Sequence, residues 1–121
     1  MLLIVVSCSK KVGKDISVVE LDKLAKNTKN VVLIDVRDSE KYIKDHIPGS
    51  ISVPFSKLRK FSKNLDKRKS IVLITEKGAS SYNEADVLMK SGFERVYNLV
   101  GGITQWRIWQ KQIGKKNTQK D

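Results

Sequence analysis

A chain of 121 residues is long enough for one core and too short for two, and with 40% hydrophobic and 31% charged residues it has the apolar surface to collapse without help. The net charge of +11 invites a phosphate-binding reading, but the cations are mostly Lys rather than bidentate Arg and carry little aromatic interleaving. Nucleic acid is therefore not the expected partner, which leaves a solvated basic surface or attraction to an anionic membrane surface.

Cys8 is the only cysteine, so no intrachain disulfide and no cysteine-based metal site can form, and neither a metal nor another cofactor is expected. It follows an unbroken apolar run, Met1 to Val6. Val5-Val6-Ser7-Cys8 resembles the lipobox of bacterial lipoprotein signals, in which the cysteine is acylated and becomes the mature amino terminus. The stretch lacks an early Lys or Arg and is shorter than the usual apolar region of about 7 to 15 residues. Residues 1–15 are expected to be an apolar segment and tether, a truncated lipoprotein signal with Cys8 as the lipidation candidate. That places the chain on a bacterial membrane, periplasmic or at the surface. The alternative is a short strand or tail in a cytoplasmic protein. No other stretch offers the ~18 consecutive apolar residues of a spanning helix.

Residues 16–110 read as one α/β domain, with short apolar runs alternating with helical stretches. Ile16 to Val19 predicts a short strand leading into a helix whose Leu21, Leu24 and Ala25 share a face, ended by Asn27 to Asn30. Val31 to Val36 is nearly continuous in apolar character, as a central strand covered on both faces requires. Asp38 or Ser39 can cap the next helix, Glu40 to Asp45, with Tyr42 and Ile43 turned inward, until Pro48-Gly49 turns the chain. Ile51 to Val53 predicts the third strand. Phe55, Leu58 and Phe61 then predict one buried stripe on a short helix, with Lys57, Arg59 and Lys60 outside.

Ile71 to Ile74 repeats the buried-strand pattern, and the loop Thr75-Glu76-Lys77-Gly78-Ala79-Ser80 joins it to a helix from about Ser81 to Ser91. Gly92 can take the left-handed conformation after that helix, with Phe93 folding back in contact. Val96 to Val100 predicts the last strand, Gly101-Gly102 a turn, and Ile103, Trp106 and Trp109 one side of a closing helix. Residues 111–121 read as a frayed polar tail.

Two separated stretches carry a resemblance. Val32-Leu33-Ile34-Asp35-Val36-Arg37, Glu40 to Tyr42, His46-Ile47-Pro48-Gly49-Ser50 and Val53-Pro54 resemble the first signature of rhodanese-like domains. Gly92-Phe93, Val96-Tyr97-Asn98-Leu99, Gly101-Gly102-Ile103 and Trp106 resemble the family's closing segment. The resemblance implies a single rhodanese-like domain, a five-stranded, mostly parallel sheet with helices on both faces, and a site at the carboxyl end of the strand Ile71 to Ile74. Open α/β sheets place ligands at that end on general grounds.

In active members of this family the loop begins with a cysteine that carries a persulfide, cradled by backbone amides and helped by a late arginine. Aligned on Gly78, this chain has Thr75 at the cysteine position and Ser80 at the arginine position. A Thr hydroxyl neither ionises near neutral pH nor forms a sulfur–sulfur bond. The resemblance thus implies a sulfurtransferase fold with no catalytic residue in the loop Thr75 to Ser80, acting as a binding or regulatory module for a protein partner that the sequence does not name. The alternative is an active sulfurtransferase with a non-standard sulfur carrier. The loop's length and Gly78 still permit weak binding of small anions. Asp35, Arg37, Glu40 and His46 read as a structural network and turn rather than as catalytic groups. Smaller departures from the family pattern are Asp45, where Gly is usual before the His, and Ser52, in place of a common Asn.

Overall fold

The computed structural model describes residues 13–26, 29–78 and 81–118. The first strand, β1 (Lys14–Ile16), stops at Ser17 because a capping box forms there. The Ser17 hydroxyl accepts a hydrogen bond from the Glu20 N–H at 3.1 Å, and the Glu20 carboxylate accepts one from the Ser17 N–H at 3.4 Å. Val18 and Val19 therefore open α1 (Val18–Ala25) instead of extending the strand expected over Ile16 to Val19.

The chain continues through β2 (Val31–Asp35), α2 (Ser39–Lys44), β3 (Ser50–Ser52), α3 (Phe55–Ser62), β4 (Ser70–Ile74), α4 (Ser81–Lys90), β5 (Val96–Leu99) and α5 (Gly102–Thr118). The five strands form one sheet in the order β1-β5-β4-β2-β3, and every pairing is parallel. β4 lies at the centre with all its residues buried. Its side chains alternate between two cores. Val72 and Ile74 pack with Leu21, Leu33, Ile103 and Trp106 beneath α1 and α5, while Ile71 and Leu73 pack with Ile34, Leu58, Leu88 and Phe93 beneath α3 and α4. Asp35 is level with Ser52 on one side and Ile74 on the other, so the carboxyl ends of β2, β3 and β4 are aligned at one edge of the sheet.

Several local expectations change. Ile43 is 77% exposed, because α2 spans only Ser39–Lys44 and buries no residue; Tyr42 alone turns partly inward. On α3, Leu58 and Ser62 are the buried residues, Phe61 is half-buried, and Phe55 is 45% exposed at the helix start. The closing helix runs to Thr118, across most of the stretch expected to fray, since Lys and Gln are good helix formers and Gly114 alone does not end it. The α4 end keeps its expected form. Gly92 has φ +102°, its N–H bonds to the Met89 carbonyl at 3.1 Å, and the Phe93 N–H reaches the Leu88 carbonyl at 3.2 Å. No helix among the described residues is long and apolar enough to cross a membrane.

Candidate functional site

β4 delivers Thr75 to the aligned carboxyl edge, where it is only 3% exposed. Its Oγ1 accepts a hydrogen bond from the Gly78 N–H at 2.7 Å, closing a tight turn over Thr75 to Gly78. Gly78 sits at φ +80°, and a Cβ there would stand 2.8 Å from the Leu99 carbonyl oxygen and from the Gly101 nitrogen. Gly102, at φ +59°, lies equally close on the other side, its hypothetical Cβ 2.7 Å from the Glu76 carbonyl carbon. The loop and the turn between β5 and α5 thus meet backbone to backbone, which only glycine permits at these two positions.

The start of α5 holds the loop from below. The Ile103 N–H donates to the Thr75 carbonyl at 2.9 Å, and the Thr104 N–H and hydroxyl donate to the Glu76 carbonyl at 3.1 and 2.9 Å. Donors that the first turn of a helix leaves without intrahelical partners are therefore spent on the loop's carbonyls.

An ionic network borders the loop. Asp35 is fully buried at the end of β2 and accepts from the Arg37 N–H at 3.0 Å, from Nε at 3.0 Å and from Nη2 at 2.9 Å. Arg37 also donates to the Asp45 carbonyl at 2.8 Å and to the Glu76 carboxylate at 3.3 Å. The other Glu76 oxygen is 3.3 Å from Arg107 of α5, whose guanidinium also grips Asp45 at 2.6 and 2.9 Å. Burial pushes the Glu76 carboxyl up, but the hydrogen bonds from Arg107 and Arg37 outweigh it and leave its pKa below the ordinary value. Asp45 is held low chiefly by its hydrogen bond from Arg107, and that same bond drives the Arg107 pKa upward.

Asp35 and Arg37, paired in the sequence analysis, come together here; Glu40 and His46 stand apart from them. Glu40 is exposed on α2, and no ion pair reaches it among the described residues. His46 stacks on Tyr42 with ring centroids 3.9 Å apart and directs Nδ1 at the Tyr42 carbonyl at 2.8 Å. A carbonyl only accepts, so Nδ1 carries the proton. Their places in the network are taken by Asp45, Glu76 and Arg107. Asp45 had a sequence signal, standing where a Gly is usual, but nothing in the spacing links residue 107 to residues 45 and 76. Lys77 points to solvent, and Ala79, Ser80 and Cys8 lie outside the described residues.

The assembled site offers a buried hydroxyl, backbone amides and an interlinked set of three carboxylates and two guanidiniums. It can position a loop rigidly. It presents no group able to hold sulfur at residue 75.

A family model described as the Rhodanese-like domain matches residues 17–108. The chain is 35% identical to the thiosulfate sulfurtransferase GlpE of Coxiella burnetii, over 78% of this chain and 87% of that protein. It is also 35% identical to the putative sulfur carrier protein YrkF of Bacillus subtilis, over 61% of this chain and 40% of that one. Among solved structures, the BH2092 protein of Bacillus halodurans superposes with a TM-score of 0.70 at 31% identity, covering 84% of this chain and 76% of that one.

Proposed function

The chain belongs to the rhodanese-like domain family, and because it sets a buried threonine hydroxyl where that family's sulfur chemistry needs a thiol, we propose that it is a non-catalytic member acting as a binding or regulatory module. The carrying observation is the hydrogen bond from the Gly78 N–H to Thr75 Oγ1. It uses the residue at the nucleophile position as a structural brace and turns one amide of the cradle toward the protein itself. The network around Glu76 supports the same reading. Arg37 and Arg107 are engaged by Asp35, Asp45 and Glu76, so neither guanidinium is left uncompensated to take over the anion-binding role that the arginine position has lost.

The names of two relatives, a thiosulfate sulfurtransferase and a putative sulfur carrier, favour a second reading in which this chain transfers sulfur through another atom. Cys8 is the only thiol able to serve. Incubation of the pure protein with thiosulfate and cyanide separates the two. Thiocyanate no higher than in a heat-denatured control is the expected result. Formation well above that control, abolished by Cys8→Ser, establishes the second reading instead. Anchoring through Cys8 is part of the proposal, and intact-mass measurement of protein from its host, showing an acylated cysteine at the amino terminus, is its check.

A further inference from the structure

The segment from Phe55 to Lys69 holds seven cations and one carboxylate. The carboxylate, Asp66, is paired with Arg68 at 3.2 Å. Lys67 folds inward, its ammonium donating to the Ser62 carbonyl and lying 4.4 Å from the Phe93 ring centroid. Lys57, Arg59, Lys60, Lys63 and Lys69 remain; the first four are exposed, and among the described residues no ion pair reaches any of the five. Leu58 and Ser62 are the buried side of α3. At 100° per residue, Lys60 then faces straight out, with Lys57 and Lys63 about 60° to either side of it and Arg59 nearer the core on the Lys63 side.

Beside the Lys57 flank runs an open trough of about 690 Å³ between α3 and the edge strand β3. Ile51, Val53 and Phe61 form its apolar floor, and Lys57, Lys60 and Asn64 its rim. Ile51 is 38% exposed, and Phe55 adds an exposed aromatic ring at the helix start. The Ser52 hydroxyl, lining the same trough, is shut from solvent without a hydrogen-bond partner.

We propose that this face of α3, with the trough beside it, docks on an anionic phospholipid surface. Cations at a rim above an apolar floor match the order of chemistry in a leaflet, with phosphate oxygens above acyl methylenes. Lysine supplies compact point charges that suit a diffuse negative potential, whereas nucleic acid is gripped best by bidentate Arg, of which this face has one. The aromatic rings of Phe55 and Phe61 flank the charged stripe instead of interleaving with it, so they form no stacking ladder for bases. The face is separate from the Thr75 loop, and its role does not depend on whether the protein transfers sulfur.

The full-length protein is mixed with vesicles of phosphatidylcholine alone or of phosphatidylcholine with phosphatidylglycerol, and the bound fraction is measured by co-sedimentation. Binding is expected only to the anionic vesicles at low salt, with release near 1 M salt, where the screening length is about 3 Å. Each lysine lost from the face weakens binding about fivefold, so Lys57→Glu, Lys60→Glu and Lys63→Glu together abolish it. Reversing Lys23, Lys41 and Lys44, which are exposed elsewhere, leaves most of the binding in place. Circular dichroism confirms that both triple variants fold. The proposal is overturned by absence of binding to anionic vesicles, or by equal loss in the two variants, which would make net charge alone responsible. It is overturned equally if α3-dependent binding occurs with single-stranded DNA or polyglutamate but not with vesicles.

Discussion

Thr75 Oγ1 and the Gly78 N–H are joined at 2.7 Å, so the side chain at the nucleophile position is also the internal acceptor for the loop's own backbone. In an anion-binding nest, successive N–H groups converge on a negatively charged ligand. Here one of those donors already faces an oxygen. The weak small-anion binding expected from the loop's length is therefore set against a competitor built into the chain. Thr75→Ala removes that competitor without adding charge. Phosphate or sulfate titration followed by amide NMR should show larger and more readily saturated shifts at Gly78 in the variant than in the wild type. Equal responses in the two proteins would mean that Thr75 does not govern the loop's donors.

Restoring the thiol should not restore the enzyme. Thr75→Cys supplies a nucleophile in a loop that α5 already braces through the Thr75 and Glu76 carbonyls. The sequence places Glu76 next to that thiolate, where like charge would raise its pKa, but the structure turns the Glu76 carboxylate toward Arg37 and Arg107 and so offsets much of that repulsion. The missing element is the cation at position 80. Thr75→Cys alone should give thiocyanate only slightly above background, and Thr75→Cys with Ser80→Arg should exceed both single variants in the thiosulfate–cyanide assay. A single variant as active as the double would show that the arginine position is dispensable in this loop.

The alternation of strands with helices and the position of the loop were legible in the sequence because both depend on short-range patterns, whereas the five-stranded, mostly parallel sheet followed from the family resemblance. Val31 to Val36 and Ile71 to Ile74 are apolar without alternation, as strands covered on both faces must be, and Gly92-Phe93 marks a helix end by its own conformational preference. The start of α1 is equally legible in Ser17 and Glu20, whose spacing is that of a capping box, but the β-branched Val18 and Val19 favour a strand when propensity alone is weighed. Local pattern could not show which charges share a site. Asp45, Glu76 and Arg107 come from three elements far apart in the chain and meet only because α5 packs against the end of the sheet. Glu40 stands near Arg37 in sequence yet is exposed on a six-residue helix, and among the described residues no ion pair joins the two.

Asp35 and Arg37 form the most deeply buried ion pair of the network, with side-chain exposures of 0% and 4%. Asp35→Ala leaves the guanidinium buried with the Asp45 carbonyl, the Glu76 carboxylate and the more distant Asp45 carboxylate at 3.8 Å as partners, and breaking a buried pair in this way costs about 3–5 kcal/mol. Replacing both residues with apolar ones of similar size, Asp35→Leu with Arg37→Met, should recover a large part of that loss, because no deeply buried charge remains and the partly exposed Asp45 and Glu76 keep Arg107. Urea denaturation of the three proteins measures both quantities. A double variant no more stable than Asp35→Ala would show that the pair's hydrogen bonds, rather than its charges, hold this end of the sheet.

Glu84 lies on the inner side of α4, 7% exposed, with Oε2 shut from solvent and without a hydrogen-bond partner. Burial pushes its carboxyl above the usual pKa, which fixes the sign of its effect on stability. Below the unfolded value of about 4.3 the group is neutral in both states and carries no charge penalty. As pH rises from there through the folded pKa, the unfolded chain gives up the proton while the folded chain holds it, and stability falls by linkage. Asp45 and Glu76 act in the opposite direction, since their lowered pKa values add stability as pH rises, but they are unchanged in a Glu84 variant and cancel in the comparison. Glu84→Met keeps an unbranched side chain of similar length and removes the orphaned Oε2. It should exceed the wild type by about 1–3 kcal/mol near pH 4, the usual gain from removing a buried polar group without a partner, and by more at pH 8, where the wild type also bears the cost of a buried charge. Urea titrations at the two pH values test this directly: a difference that does not grow with pH, or a less stable variant at pH 8, would mean that Glu84 finds a partner in the folded protein.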